Sequence, residues 1–144
     1  MASRDDLLAL LARVPLFEGL SRKELEAVLR SSSEVDHEAG HNIVTEGGGA
    51  AGFHLILAGE GTVLQGGREK HKIGAGEFFG EIALIDGGPR SATVRADSRV
   101  RTLSITAWDF KPLLSEHPDM AYTVMVELCR RVRAAESEAS SAPV

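Results

Sequence analysis

Cysteine is almost missing from this chain. Cys129 is alone among 144 residues, which excludes an internal disulfide framework and fits a reducing compartment, the cytoplasm. Long apolar runs are missing too. None approaches the roughly 20 residues of a membrane-spanning helix. The first 16 residues are broken by Arg4, Asp5, Asp6 and Arg13, so they lack the apolar core of a signal peptide and no membrane contact is expected. Basic excess is also lacking. With 16 Lys and Arg against 21 Asp and Glu, the net charge of −5 argues against a general nucleic-acid binder, while a local basic patch stays compatible with it. No internal repeat and no Ser-His-Asp or Cys-His arrangement is found, so no catalysis is expected. His37 and His41 stand four apart near Glu46, but Gly40 puts a turn between them. His54, His71 and His117 have no ligand spacing, so neither a metal nor a cofactor is expected. Cys129 sits in an arginine-rich helix end and reads as a structural or interface thiol.

What is present suffices for one domain with a real core. Hydrophobic residues make up 43% of the chain. Asp5 or Asp6 is expected to cap a first helix whose apolar face is Leu7, Leu8, Leu10 and Leu11, ended by Val14-Pro15. Ser21 and Glu24 form a capping box that opens a second helix with Leu25, Val28 and Leu29 inward. From Val35 the pattern turns to short strands, expected at 41–44, 53–57, 62–65, 70–73, 92–95 and 100–105. Glycine turns lie between them at 47–49, 58–61, 66–67 and 74–76. Such spacing predicts a sandwich or barrel. The helical period returns after Thr106. Trp108, Leu113 and Leu114 mark a short helix, and Pro118 opens another with a stripe of Met120, Val124, Leu128 and Val132. Residues 136–144 read as a flexible tail.

The chemistry concentrates in one stretch at 79–94, Phe-Gly-Glu-Ile-Ala-Leu-Ile-Asp-Gly-Gly-Pro-Arg-Ser-Ala-Thr-Val. Gly80 allows a backbone to approach a ligand, and the turn from Glu81 to Ile85 begins with free N–H donors. Arg90 is a permanent cation suited to phosphate oxygens, and Ser91 adds a hydroxyl. An anion cradle beside a carboxylate suits a ligand with one phosphate and sugar hydroxyls.

Phe-Gly-Glu-Ile-Ala-Leu followed by Pro-Arg-Ser-Ala-Thr-Val resembles the phosphate-binding cassette of the cyclic-nucleotide-binding domain family. That family includes catabolite activator proteins, protein kinase A regulatory subunits and cyclic-nucleotide-gated channels. The resemblance covers roughly residues 14–135. It implies a mostly β fold with flanking helices: an eight-stranded antiparallel β-roll, jelly-roll-like, with N-terminal helices and C-terminal lid helices. It divides a single domain at 1–135 into a helical lead-in at 5–34, the roll at 35–107 and C-terminal helices at 108–135. The ligand implied is cAMP or cGMP, with cAMP favoured. Gly80, Ile82, Ala83, Arg90, Ser91 and Ala92 would face the cyclic phosphate, and Glu81 would accept from the ribose 2′-hydroxyl. His71, Ile73 and Arg131 would meet the base, Arg131 by laying its guanidinium over it. Without ligand, Glu81, a water or an adventitious anion is expected beside Arg90.

The function expected is a sensor that couples nucleotide binding to movement of its C-terminal helix and regulates an unidentified protein partner. The chain stops before any winged helix-turn-helix, so nucleic-acid binding by this chain alone is not expected. A monomer, or a homodimer through the last helix, fits the apolar stripe. The alternatives are the effector domain of a cAMP-responsive transcription regulator, a ligand-free β-roll scaffold and a small metal-dependent enzyme.

Overall fold

The structure, a computed structural model, describes residues 2–48 and 52–141. Gly49, part of one expected glycine turn, lies outside the described residues. Helix α1 (Arg4–Ala12) is capped by Ser3, two residues before Asp5 and three before Asp6, the caps the sequence suggests. The Ser3 hydroxyl accepts from the Asp6 N–H at 3.1 Å and Asp6 accepts in return from the Ser3 N–H at 3.1 Å. Asp6 thus takes the third position of a capping box, with Ser3 as the cap. A 3-10 turn (Pro15–Phe17) follows. Helix α2 (Arg22–Arg30) starts on the expected Ser21–Glu24 box.

Eight strands follow: β1 (Ser33–His37), β2 (Asn42–Val44), β3 (Gly52–Ala58), β4 (Glu60–Gln65), β5 (Arg68–Gly74), β6 (Phe78–Phe79), β7 (Thr93–Ala96) and β8 (Val100–Thr106). They form two four-stranded sheets, ordered β1-β8-β3-β6 and β2-β7-β4-β5, with every pair antiparallel. Strands β1 and β6 have no counterpart among the strands expected above. Ser33–His37 has no apolar alternation, and its ladder to β8 is dressed instead with ion pairs from Arg101 to Glu34 and Asp36, at 3.0 and 3.1 Å. Phe78–Phe79 is too short to show a period.

Strand β3 explains how the layers join. Side chains alternate faces along a strand. Phe53 and Leu55 point into a core shared with Leu11, Phe17, Val28, Phe110 and Met120 of the helices. Ile56 points the other way, into a second core with Val44, Ile73, Val94, Ala96 and Val100 inside the roll. Strand β8 repeats the pattern, with Leu103 and Ile105 toward the helices and Val100 inward. Each fully buried aliphatic side chain contributes about 1.5–3 kcal/mol. The first sheet therefore carries helices on one face and the second sheet on the other.

Helix α3 (Glu81–Asp86) is bracketed by Gly80 and Gly87, at φ +87° and +67°. Helix α4 (Ala107–Glu116) is capped by Thr106, whose hydroxyl accepts from the Asp109 N–H at 3.0 Å. Its inward face is Phe110 and Leu113, while Trp108 is 87% exposed. At 100° per residue Trp108 falls roughly opposite Phe110, so the tryptophan marked the helix but not its buried face. Helix α5 (Pro118–Ser141) begins at the expected proline. Met120 and Val124 are buried, but Val132 on the same stripe is 56% exposed. The helix runs past residue 135 to Ser141, so most of the expected tail is helical; residues 142–144 lie outside the described residues. Glu136, Glu138 and Ala139 there are good helix formers, and the weaker Ser137, Ser140 and Ser141 prolong a helix already begun. Among the described residues, no helix is long and apolar enough to cross a membrane.

Candidate functional site

A cavity of about 570 Å³ opens between the second sheet, β6, α3 and the loop that follows it. That volume is in the range of small-molecule sites. Gly80, Glu81, Ile82, Ala83, Arg90, Ser91 and Ala92 all line it, and so do His71 and Ile73. Arg131 is not part of the lining. Its lining mixes the polar Glu81, Arg90 and Ser91 with the apolar Val44, Val63 and Ile73.

Arg90 is held by its backbone first. Its carbonyl accepts from the Gly47 N–H at 2.8 Å, and its own N–H donates to the Gly48 carbonyl at 3.3 Å. The turn before β3 thereby fixes a residue remote from it in sequence. The residue is only 8% exposed, and burial holds its pKa below the ordinary arginine value. An arginine remains charged in such a setting. Gly80 packs against it: a Cβ built there would collide with Nη1 of Arg90 and with the Gly52 carbonyl. The glycine is needed twice, for its positive φ and for this close approach.

Behind Arg90 lies a group the motif does not include. His54 stacks on Phe79 with ring centroids 5.0 Å apart and meets His37 edge-on at 6.0 Å. The Thr102 hydroxyl is 3.4 Å from His54 Nδ1 and 3.2 Å from His37 Nε2. Enclosure, then the Arg90 charge, then His37 push the His54 pKa down to about 3. His54 is therefore a neutral wall to the arginine. The signal for it was available: His54 alternates with Phe53 and Leu55, so it had to face the roll interior.

Glu81 takes an unexpected partner. Its Oε1 accepts from Nη1 of Arg131 at 3.1 Å, so α5 and not Arg90 occupies the carboxylate. The loop after α3 is set by Asp86, whose Oδ1 accepts from the Gly88 N–H at 2.7 Å. The Ser91 carbonyl accepts from Gln65 Nε2 at 3.1 Å, tying the loop to the β4–β5 hairpin. Among the described residues, no group of three or more His, Cys, Asp or Glu is placed to hold a metal.

A buried arginine, an exposed serine and a glycine-led helical turn around one cavity match a known pattern. The family described as "Cyclic nucleotide-binding domain" matches residues 34–117. The chain belongs to the cyclic nucleotide-binding domain family. A cyclic nucleotide-gated potassium channel of Rhizobium etli is 40% identical over 115 residues, 80% of this chain. The chain spans only 32% of that channel's length. The crystal structure of the N-terminal domain of a transcriptional regulator from Streptomyces coelicolor superposes with a TM-score of 0.83 at 29% identity, covering 93% of this chain and 96% of that one. The regulatory domain of Toxoplasma gondii protein kinase A, co-crystallised with cAMP, gives 0.67 at 28% identity over 76% of this chain and 43% of that one. The two antiparallel sheets and flanking helices are thus the β-roll of cyclic nucleotide-binding domains.

Proposed function

We propose that this chain binds a purine cyclic mononucleotide, cAMP in preference to cGMP, and relays occupancy through α5 to a protein partner. The observation that carries the proposal is the buried Arg90 in a cavity that also holds Glu81 and Ser91. A buried guanidinium gains most from an anion, because its charge is desolvated already. Arg90 and the Ser91 hydroxyl would bind the cyclic phosphate, with Gly80, Ile82, Ala83 and Ala92 closing around it. Glu81 would accept from the ribose 2′-hydroxyl. His71 and Ile73, two apart on β5 and so on one face of the strand, would take the base. The co-crystallised cAMP of the protein kinase A relative supports the choice of adenine. A reducing cytoplasmic setting agrees with the single cysteine.

A second reading has its own support. The Streptomyces relative is a transcriptional regulator's N-terminal domain, matched along nearly its whole length. Under that reading the same pocket controls a DNA-binding unit, and the exposed side of α5 carries the signal or a dimer contact. Titration calorimetry with cAMP and cGMP tests the shared claim. Saturable one-to-one binding of cAMP, tighter than that of cGMP, is expected; no heat from either nucleotide at high micromolar concentration rejects it.

A further inference from the structure

The ion pair between Glu81 and Arg131 joins residues 50 apart in sequence, one at the start of α3 and one on α5. Glu81 lines the cavity and Arg131 does not. We infer that Arg131 is a positioning residue for ribose recognition, acting through Glu81 and fastening α5 to the sugar end of the site. This rests on the cyclic-nucleotide reading above and assigns Arg131 a place different from the base-stacking one suggested by the family resemblance.

The geometry gives three reasons. The first is that the guanidinium is held from two sides. Nη1 donates to Glu81 Oε1 at 3.1 Å, and Nε stands 3.6 Å from Glu127 Oε1, one turn earlier on the same helix. Glu127 in turn binds Arg130 through its other oxygen at 3.0 Å. A planar fork held between two carboxylates has little freedom to turn over a base.

The second is that the arrangement leaves room for the sugar. A carboxylate offers about four acceptor sites on its two oxygens. Arg131 uses Oε1, and among the described residues the Glu81 carboxylate has no other hydrogen bond or ion pair. A ribose hydroxyl can donate to Oε2 while the ion pair persists. Arg131 and sugar then bind the same carboxylate together, and each orients it for the other.

The third lies in what else anchors α5. Met120 is 0% exposed and Val124 is 3% exposed, but Val132 is 56% exposed. Apolar attachment fades along the helix, and the Glu81 pair comes where it has faded. The side chains of Arg131, Glu81 and Glu127 are 29%, 21% and 13% exposed, so the pair is partly shielded from water. Shielded pairs are stronger than fully exposed ones.

The test compares cAMP with its 2′-deoxy analogue by calorimetry, on the wild-type chain and on Arg131→Met, Arg131→Lys, Glu81→Ala and the double variant Glu81→Ala/Arg131→Met. The wild type is expected to prefer cAMP by about tenfold, the loss of one charge-assisted hydrogen bond. Arg131→Met should cut that preference at least threefold, with less than a twofold change for the deoxy analogue. Arg131→Lys should restore part of it, and Arg131→Met should change cAMP affinity less than twofold in the Glu81→Ala background. Equal losses for both nucleotides would mean that Arg131 touches the base or merely supports the fold, and would overturn the inference. Unchanged binding of both, or a wild type that ignores the 2′-hydroxyl, would overturn it too while leaving the cyclic-nucleotide reading standing. A wild type that binds neither nucleotide removes that reading and the inference with it. Circular dichroism melts of each variant separate a folding defect from a binding one.

Discussion

Gly80 and Arg90 are packed so closely that no side chain fits between them. A methyl group on Gly80 would occupy the space of the Arg90 guanidinium and of the Gly52 carbonyl. Gly80→Ala also forces a side chain onto a left-handed backbone at φ +87°. That conformation costs about 1–2 kcal/mol, and overpacking adds about 1–3 kcal/mol. The variant should unfold at lower denaturant concentration and lose nucleotide affinity together. Gly87→Ala has only the first penalty, because no heavy atom lies within 4 Å of its built Cβ. A comparison of the two midpoints checks the division.

Arg90 and Ser91 should rank by charge. Arg90→Ala removes hydrogen bonds from a charged donor, worth about 1.5–3 kcal/mol. Affinity for cAMP should fall by roughly 10- to 150-fold. Ser91→Ala removes a neutral donor to the phosphate, and the loss should stay near tenfold or below. Arg90→Lys keeps the charge without the planar fork and should fall between them. Calorimetry on the three variants reads the order, and a serine effect as large as that of Arg90→Ala would contradict it.

The pH dependence follows from His54. Its pKa is about 3 in the folded chain against 6.5 when unfolded, so the unfolded state binds more protons between these values. Stability therefore rises with pH across that window and is lost as pH falls below 6.5. Each unit of pH can remove at most about 1.4 kcal/mol for a single group. His37, lowered by burial, acts in the same direction. The Asp36 carboxyl is held low chiefly by its hydrogen bond from Arg101, so its contribution is lost only at more acidic pH. Urea titrations at pH 7 and pH 5 should show a clear fall in the wild type. The fall should shrink in His54→Gln; an unchanged slope would assign the effect elsewhere.

Helix α5 should be sensitive on one face only. Met120→Ala empties a fully buried site and should cost about 2–5 kcal/mol. Met125→Ala removes a side chain that is 55% exposed and should stay within about 0.5 kcal/mol. Equal costs in denaturant titrations would show that the helix docks by a different face.

Much of this was legible in the chain because each signal had a local cause. The Ser21–Glu24 box, Pro118 and the turn glycines Gly47, Gly59, Gly66, Gly67 and Gly76 each act within a few residues and stand where the sequence placed them, whereas Gly61 and Gly74, expected in turns, lie inside β4 and β5. The residues nominated within 79–94 do converge on one cavity, from Gly80 to Ala83 and from Arg90 to Ala92. What escaped was long-range. Strand β1 gains its identity from β8 and the ion pairs of Arg101, which no local period announces. His54 borders the arginine only once β3 and β6 are paired. The partner of Glu81 is 50 residues away, so spacing could nominate Arg131 but not its contact.

Helix α5 is anchored near one end and extends 24 residues in all. At 1.5 Å per residue, the part beyond Met120 is roughly 30 Å long. Under the proposed relay it would act as a lever, with its fulcrum at the buried Met120 and the Glu81 contact part-way along the arm. Simple geometry then gives the gain: a tilt of about 10° at the fulcrum moves the far end by about 5 Å. A shift at the Glu81–Arg131 pair, about half-way along the arm, would be roughly doubled at Ser141.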